Sequence, residues 1–367
     1  MRYLALPFLL CLPVFAQDPN TLLLQTFAHD PSGWVAQGDG AELHTISDAE
    51  RVRPGRSALE LTYNIVPQHF SGMLLGAPET VARTQRLRFW ARSDHDTAFA
   101  VLLTERKPGG GNYAAWFWAP ANVWQPIELT PADFTPSDGP NDPVDADGKL
   151  DIDQVNGIAI FDLAQFFAQM KPNPDVPMQL AAASGHHSLL IENFELSASA
   201  PTPPIAPAGA VPIDLPGRDF LQWVTPGVMN LKPSPQGSPL GPHALQASYR
   251  QTNGELEVLV RRVANPNLAH AKRLVFDVAS ENEATLMIAI EMTNPKGGQG
   301  PRYTMPIYPP GGKEVFHVDL KLDSFDGPPG HFDPARWRTI AILDVTASGG
   351  GAEGRNTLWI GNLQAVN

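Results

Sequence analysis

Only one of the 367 residues is cysteine. This residue, Cys11, lies in an apolar leader, so the rest of the chain can form no disulfide and has no thiol chemistry. Long apolar runs are also missing. The longest, Leu4 to Phe15, follows the single charge of Arg2 and ends Val14-Phe15-Ala16 before the polar Gln17-Asp18-Pro19-Asn20. Charge, apolar stretch and small residue in that order make residues 1–16 a secretory signal peptide, and the run is shorter than the roughly 20 residues of a spanning helix. The expectation is a secreted or periplasmic protein with no membrane span. Positive charge is scarce: 26 Lys and Arg against 38 Asp and Glu leave a net −12, which repels phosphate backbones and anionic lipid. Nucleic acid is therefore excluded as a partner, and neutral ligands remain. Reaction motifs are lacking too. There is no Gly-x-Ser-x-Gly, no His-Glu-x-x-His and no Gly-x-x-x-x-Gly-Lys, so an enzyme has no positive support, although the paired carboxylates of a glycan-active hydrolase need no local spacing.

What the chain does have is an internal repeat. Ala58-Leu59-Glu60-Leu61-Thr62-Tyr63 returns 186 positions later as Ala244-Leu245-Gln246-Ala247-Ser248-Tyr249. Leu87 to Ser93 returns as Leu274 to Ser280, Glu105 as Glu291, and Ile158-Ala159-Ile160-Phe161-Asp162 as Ile340-Ala341-Ile342-Leu343-Asp344. Ser188-Leu189-Leu190-Ile191-Glu192-Asn193 returns as Thr357-Leu358-Trp359-Ile360-Gly361-Asn362. Five collinear matches describe a duplication. Between the copies, residues 197–212 are rich in Pro and Ala, a composition that denies the backbone helix and ladder hydrogen bonds and reads as a linker. The domains are residues 21–196 and 213–367.

Within each copy the apolar runs are short, rich in β-branched and aromatic residues, and punctuated by the chain's 37 prolines and 31 glycines, which predicts strands and turns. Only Leu163 to Met170 has a helical pattern. The fold expected is all-β, two tandem antiparallel β-sandwiches. The first copy carries extra residues near Asp138 to Asp151 and between Asp162 and Leu189, and loops of this kind carry function on a fixed scaffold.

An early Phe and Trp (Phe27 and Trp34; Phe220 and Trp223), an Ala-Leu-x-x-x-Tyr strand, a Leu-x-Phe strand, an Ile-x-Ile strand and a closing Leu-x-Ile-x-Asn strand recur in that order. This order resembles the galactose-binding-like jelly rolls, especially family 11 carbohydrate-binding modules and complex I intermediate-associated domains. The resemblance implies a ligand-binding or scaffolding protein without a catalytic centre.

Sugars need flat aromatics for stacking and charged or amide groups for their hydroxyls. Strand alternation puts Arg88, Trp90 and Arg92 on one face and, on another strand, Trp116 and Trp118 on one face with Tyr113 and Phe117 opposite. If those strands are neighbours, the five residues form a sugar platform, with Glu105 accepting hydroxyl hydrogen bonds. The competing reading makes the tryptophans core residues and the arginines solvated. A second signal is Asp145-Ala146-Asp147-Gly148-Lys149-Leu150-Asp151, whose carboxylates Asp145, Asp147 and Asp151 suit a structural calcium ion or a solvated turn. No other cofactor is implied. The histidines, His186-His187 among them, read as surface or turn residues. The leading expectation is a noncatalytic exported carbohydrate-binding protein that uses mainly its first domain. An extracellular structural or protein-interaction module, with a protein partner, and a glycan-active hydrolase or lyase are the alternatives.

Overall fold

The computed structural model describes residues 19–367 apart from 67–69, 107–108, 138–141, 144, 146, 169–183, 203–205, 215–220, 227–228, 253–256, 264–265, 294–299 and 330–331. The leader at 1–16 and Phe220 thus lie outside the described residues. No helix among the described residues is long and apolar enough to cross a membrane.

The first half contains β1 (Thr21–Gln25), β2 (Trp34–Gln37), β3 (Glu42–Ile46), β4 (Ala58–Ile65), β5 (Gly72–Gly76), β6 (Arg86–Ser93), β7 (Thr97–Glu105), β8 (Asn112–Ala119), β9 (Gln125–Leu129), β10 (Thr135–Pro136), β11 (Val155–Asp162), a short helix α1 (Leu163–Ala168) and β12 (Gly185–Ser197). Its strands form two antiparallel sheets in the orders β3-β4-β12-β6-β9, with β1 also on β12, and β10-β8-β7-β11-β5-β2. The second half contains β13 (Ala210–Asp214), β14 (Asn230–Pro233), β15 (Leu245–Gln251), β16 (Glu257–Arg262), β17 (Arg273–Ser280), β18 (Leu286–Met292), β19 (Arg302–Ile307), β20 (Val315–Lys321), β21 (Trp337–Asp344) and β22 (Gly354–Val366). It repeats the order as β14-β15-β22-β17-β20, with β13 on β22, and β16-β21-β18-β19. Isolated bridges Val224–Val260 and Thr304–Asp326 stand where β2 and β10 complete the first half. Both ends of the proline-rich stretch 197–212 are strand, β12 running to Ser197 and β13 starting at Ala210.

The repeated motifs have structural reasons. Tyr63 donates its hydroxyl to Asp162 at 2.7 Å and Tyr249 donates to Asp344 at 2.5 Å. In each half, then, the Tyr of the early strand reaches across the sandwich to the Asp that ends the late Ile-x-Ile strand. Burial makes ionising these phenols harder still, and it joins the facing carboxylates in raising both tyrosines well above the ordinary value. The closing Asn is a backbone requirement. Asn193 (φ 50°) and Asn362 (φ 55°) fall where β12 and β22 shift register against β6 and β17, and Asn tolerates this left-handed conformation at a bulge better than most residues.

The core of the first sandwich is aromatic. Phe117 stacks on Phe99 at 5.5 Å and meets Phe89 edge-on at 5.7 Å, while Trp34 meets Phe194 at 5.1 Å. The second core does not end at its own sheets. A single buried cluster joins Trp223, Leu221, Val224 and the second sandwich's strands to Ala98, Ala100, Trp118 and Leu163 of the first. Polar contacts tie the same boundary: Trp118 N–H donates to Leu221 O at 2.8 Å, Gln222 Nε2 to Asp133 Oδ1 at 3.0 Å, and the Arg262 guanidinium to Thr135 Oγ1 and Pro136 O. Burial lowers the Arg262 pKa to about 10, which leaves it charged at neutral pH.

Candidate functional site

Alternation along β6 does place Arg88, Trp90 and Arg92 together, on the outer face of the β3-β4-β12-β6-β9 sheet, but each is already engaged. Glu192, fully buried, pairs opposite Trp90 in the ladder and accepts from the Arg53 side chain at 2.6 Å and its backbone N–H at 2.9 Å. The Arg53 guanidinium so held lies 3.7 Å from the Trp90 ring centroid, a close cation–π contact that caps the indole. Arg88 donates to Glu195 at 2.7 and 2.9 Å, and Arg92 to Arg51 O at 2.8 Å.

Trp116 and Trp118 are on the other sheet. β8 pairs with β7 and β10, β6 with β12 and β9, so the sandwich core separates Trp90 from them and the five-residue platform does not assemble. Phe117, Tyr113 and Ala115 point into that core. Trp118, 4% exposed, is covered by the second sandwich. Trp116 is only half-buried, with Arg262 4.9 Å from its ring centroid.

Beyond Trp116 the same face stays partly open. One cross-strand row reads Ala114, Leu102, Ala159, Leu74 and Val35. The next reads Trp116, Ala100, Phe161, then Gly72 and Gln37. Ala114, Ala100 and Gly72 are buried, whereas Leu102, Ala159 and Leu74 are partly exposed, and Gly72 cannot be replaced cheaply, because a Cβ there would meet Ile160 O at 2.9 Å and the Phe161 Cβ at 3.1 Å. Trp116 flanks one side. Phe161, in edge contact with Phe70 at 4.7 Å, flanks the other, and Phe70 and Val35 are 42% and 54% exposed.

Glu105 is a loop latch. Nearly fully buried, it accepts the backbone N–H of Gly111 at 2.8 Å and of Asp151 at 2.6 Å, so its oxygens face amides rather than solvent. Glu291 repeats the arrangement with Gly300 N–H at 3.3 Å. Glu105→Gln turns one of these acceptors into a donor aimed at an amide. The expected loss is about 2–3 kcal/mol in urea unfolding, whereas an unchanged midpoint with weakened sugar binding would restore the hydroxyl-acceptor role.

The acidic loop is held from within. Asp145 accepts the Tyr113 hydroxyl, Asp147 accepts the Lys149 N–H at 3.0 Å, and Asp151 is tied to Glu105 through its own N–H. Among the described residues the side-chain ligand atoms of these three aspartates do not all lie within 4.8 Å of one another.

A different cluster, which sequence reasoning passed over, lies at the end of the first sandwich beside Phe161. His95 Nδ1 is 2.7 Å from Asp94 Oδ1, and His95 Nε2 is 3.1 Å from Asp162 Oδ2. His187 Nδ1 is 3.4 Å from Asp94 Oδ1, and the two imidazole centroids are 3.9 Å apart. Burial by itself would lower the His95 pKa, and the two carboxylates outweigh it and hold it up at about 9. Nothing in local spacing marks this group, because His187 arrives from β12, far along the chain.

No family model matches the chain, and no curated protein matches it. Solved structures do. A family 11 carbohydrate-binding module from Clostridium thermocellum, in complex with a beta-1,3-1,4-mixed-linked tetrasaccharide, is 16% identical, with 49% of this chain and 96% of that one covered and a TM-score of 0.36. A family 30 carbohydrate-binding module is 13% identical over 43% of this chain and 98% of its own, with a TM-score of 0.35. The tandem CBM22-1-CBM22-2 domain of Paenibacillus barcinonensis Xyn10C is 13% identical, covers 94% of this chain and 96% of its own, and has a TM-score of 0.31.

Proposed function

We propose that this is an exported, noncatalytic glycan-binding protein whose first sandwich holds sugar on the partly open outer face of the β10-β8-β7-β11-β5-β2 sheet, edged by Trp116 and by the Phe161–Phe70 pair. The observation that carries the reading is that face itself: the 42% exposed Phe70 and 54% exposed Val35 beside partly exposed Trp116, Phe161, Leu102, Ala159 and Leu74, with polar Gln37 and Thr104 on the same side of the strands. An exposed apolar face of this kind marks an interaction site, and aromatics beside polar groups match the C–H faces and hydroxyls of a saccharide. The order of residues 2–16 supports export. The second sandwich acts as a wall of the site, since it covers the same face at Trp118.

A protein-interaction role has one observation in its favour: the same face already docks a β-sandwich. Titration of the purified chain (residues 17–367) against a soluble and insoluble glycan panel separates the two. Binding is expected, with Trp116→Ala and Phe70→Ala each weakening it about tenfold, the scale of one lost stacking partner, while the melting temperature falls far less than for a buried tryptophan. No binding to any glycan by the wild type would leave the interaction module as the better account, and reducing ends released from the panel would turn the assignment to a hydrolase.

A further inference from the structure

We propose that Asp94, His95 and His187 form a binding site for one divalent transition-metal ion of the zinc class. Their ligand atoms all lie within 4.8 Å of one another. Zinc held by N and O at about 2.0–2.2 Å in a tetrahedron sets neighbouring ligands about 3.3 Å apart. The Asp94 Oδ1 to His187 Nδ1 distance of 3.4 Å already has that length, and the 2.7 Å to His95 Nδ1 widens to it with a small rotation of the Asp94 carboxylate, which is 37% exposed. Two imidazoles and one carboxylate favour zinc or its neighbours over calcium, whose ligands are oxygens. Three protein ligands leave a position for water.

Two further observations support the site. A metal-bound histidine commonly turns its other ring nitrogen to a carboxylate that fixes its orientation, and His95 Nε2 faces Asp162. That carboxylate is itself immobilised, accepting from Tyr63 Oη, Thr97 Oγ1 and Ala164 N at 2.7 Å each. The second sandwich supplies the other comparison. Its Tyr249–Asp344 pair keeps the frame, and the strands meet in the same way, Asp94 N–H donating to Ser188 O and Glu281 N–H to Thr357 O. At the positions of the two histidines it carries Asn282 and Asn356: the Asn282 backbone N–H donates to Asn356 Oδ1 at 3.0 Å, the Asn282 side-chain amide to Arg355 O at 2.6 Å, and the Asn356 amide to Tyr249 Oη at 3.3 Å. The fold therefore forms without imidazoles at this end, and the histidines of the first sandwich are additions to it.

The test uses the untagged mature chain, stripped with chelator and titrated with Co²⁺ and Zn²⁺ in a noncoordinating buffer. One Co²⁺ per chain is expected, giving visible d–d bands of a low-coordinate ion that Zn²⁺ displaces, and Zn²⁺ should raise the melting temperature. His95→Asn and His187→Asn introduce the side chain that the second sandwich tolerates, so both should fold, and each should weaken Zn²⁺ binding by about 100-fold or more. If one variant does not fold, the other decides. Absence of uptake by the wild type at roughly 100 µM metal, a weak threshold for a protein site, or undiminished uptake by a folded variant, overturns the assignment.

Discussion

Trp118→Ala is expected to cost about 3–5 kcal/mol of stability, the range for emptying a buried aromatic position. The indole is 4% exposed and packs in the cluster that spans both sandwiches, so its removal leaves a cavity between two elements that cannot easily collapse together. Its Nε1–H is buried with no hydrogen-bond partner among the described residues, which adds a desolvation cost to the native state. Trp118→Phe removes that unpaired donor and keeps most of the contact, so it should lose well under half as much. Thermal or urea unfolding of the two variants reads the difference. A loss below about 1 kcal/mol for Trp118→Ala, the usual scale for a surface change, would mean that the two sandwiches do not hold this side chain between them and that Trp118 belongs with Trp116 as a site residue.

The two halves are expected to unfold as one cooperative unit, and each should be less stable alone. The proline-rich composition of residues 197–212 by itself suggests separable domains, but Trp118 and Leu163 on one side and Leu221 on the other are buried in a common cluster. At about 1.5–3 kcal/mol for each fully buried side chain, separating them removes roughly 5 kcal/mol. At this size that amounts to a fall of about 10–20 °C in melting temperature. The first half keeps a complete aromatic core of its own, so residues 17–198 should still fold, with the face around Trp118 newly exposed and prone to self-association. Calorimetry of the whole chain should give a single transition whose van't Hoff and calorimetric enthalpies agree. Two independent transitions, reproduced unchanged in the separate halves, would show that the contact contributes little.

Much of the architecture was legible because it is encoded locally. Short β-branched runs between turn residues mark strands. The collinear matches mark two halves, and the structure gives those halves the same strand order. The side of each strand on which a residue stands follows from alternation alone, so Arg88, Trp90 and Arg92 share a face, as do Trp116 and Trp118. The repeated Tyr, Asp and Asn could be noticed in the sequence, although their reasons, a hydroxyl-to-carboxylate bond across the core and a left-handed bulge residue, needed the fold.

The candidate site was less legible, because alternation says nothing about which sheet a strand joins or what covers its outer face. Pairing put β6 with β12 and β9 but β8 with β7 and β10, and that choice places the core between Trp90 and Trp116. Glu105 gives no sequence sign of the two backbone amides that claim it. The docking of Leu221 on Trp118 depends on two surfaces about a hundred residues apart in the chain, as does the meeting of His95 with His187. Local sequence determined the strands, their faces and the repeat, since backbone sterics and side-chain period act over a few residues. Tertiary structure alone decided which aromatics remain open to a ligand and which titratable groups converge, since both depend on long-range pairing and on one sandwich covering another.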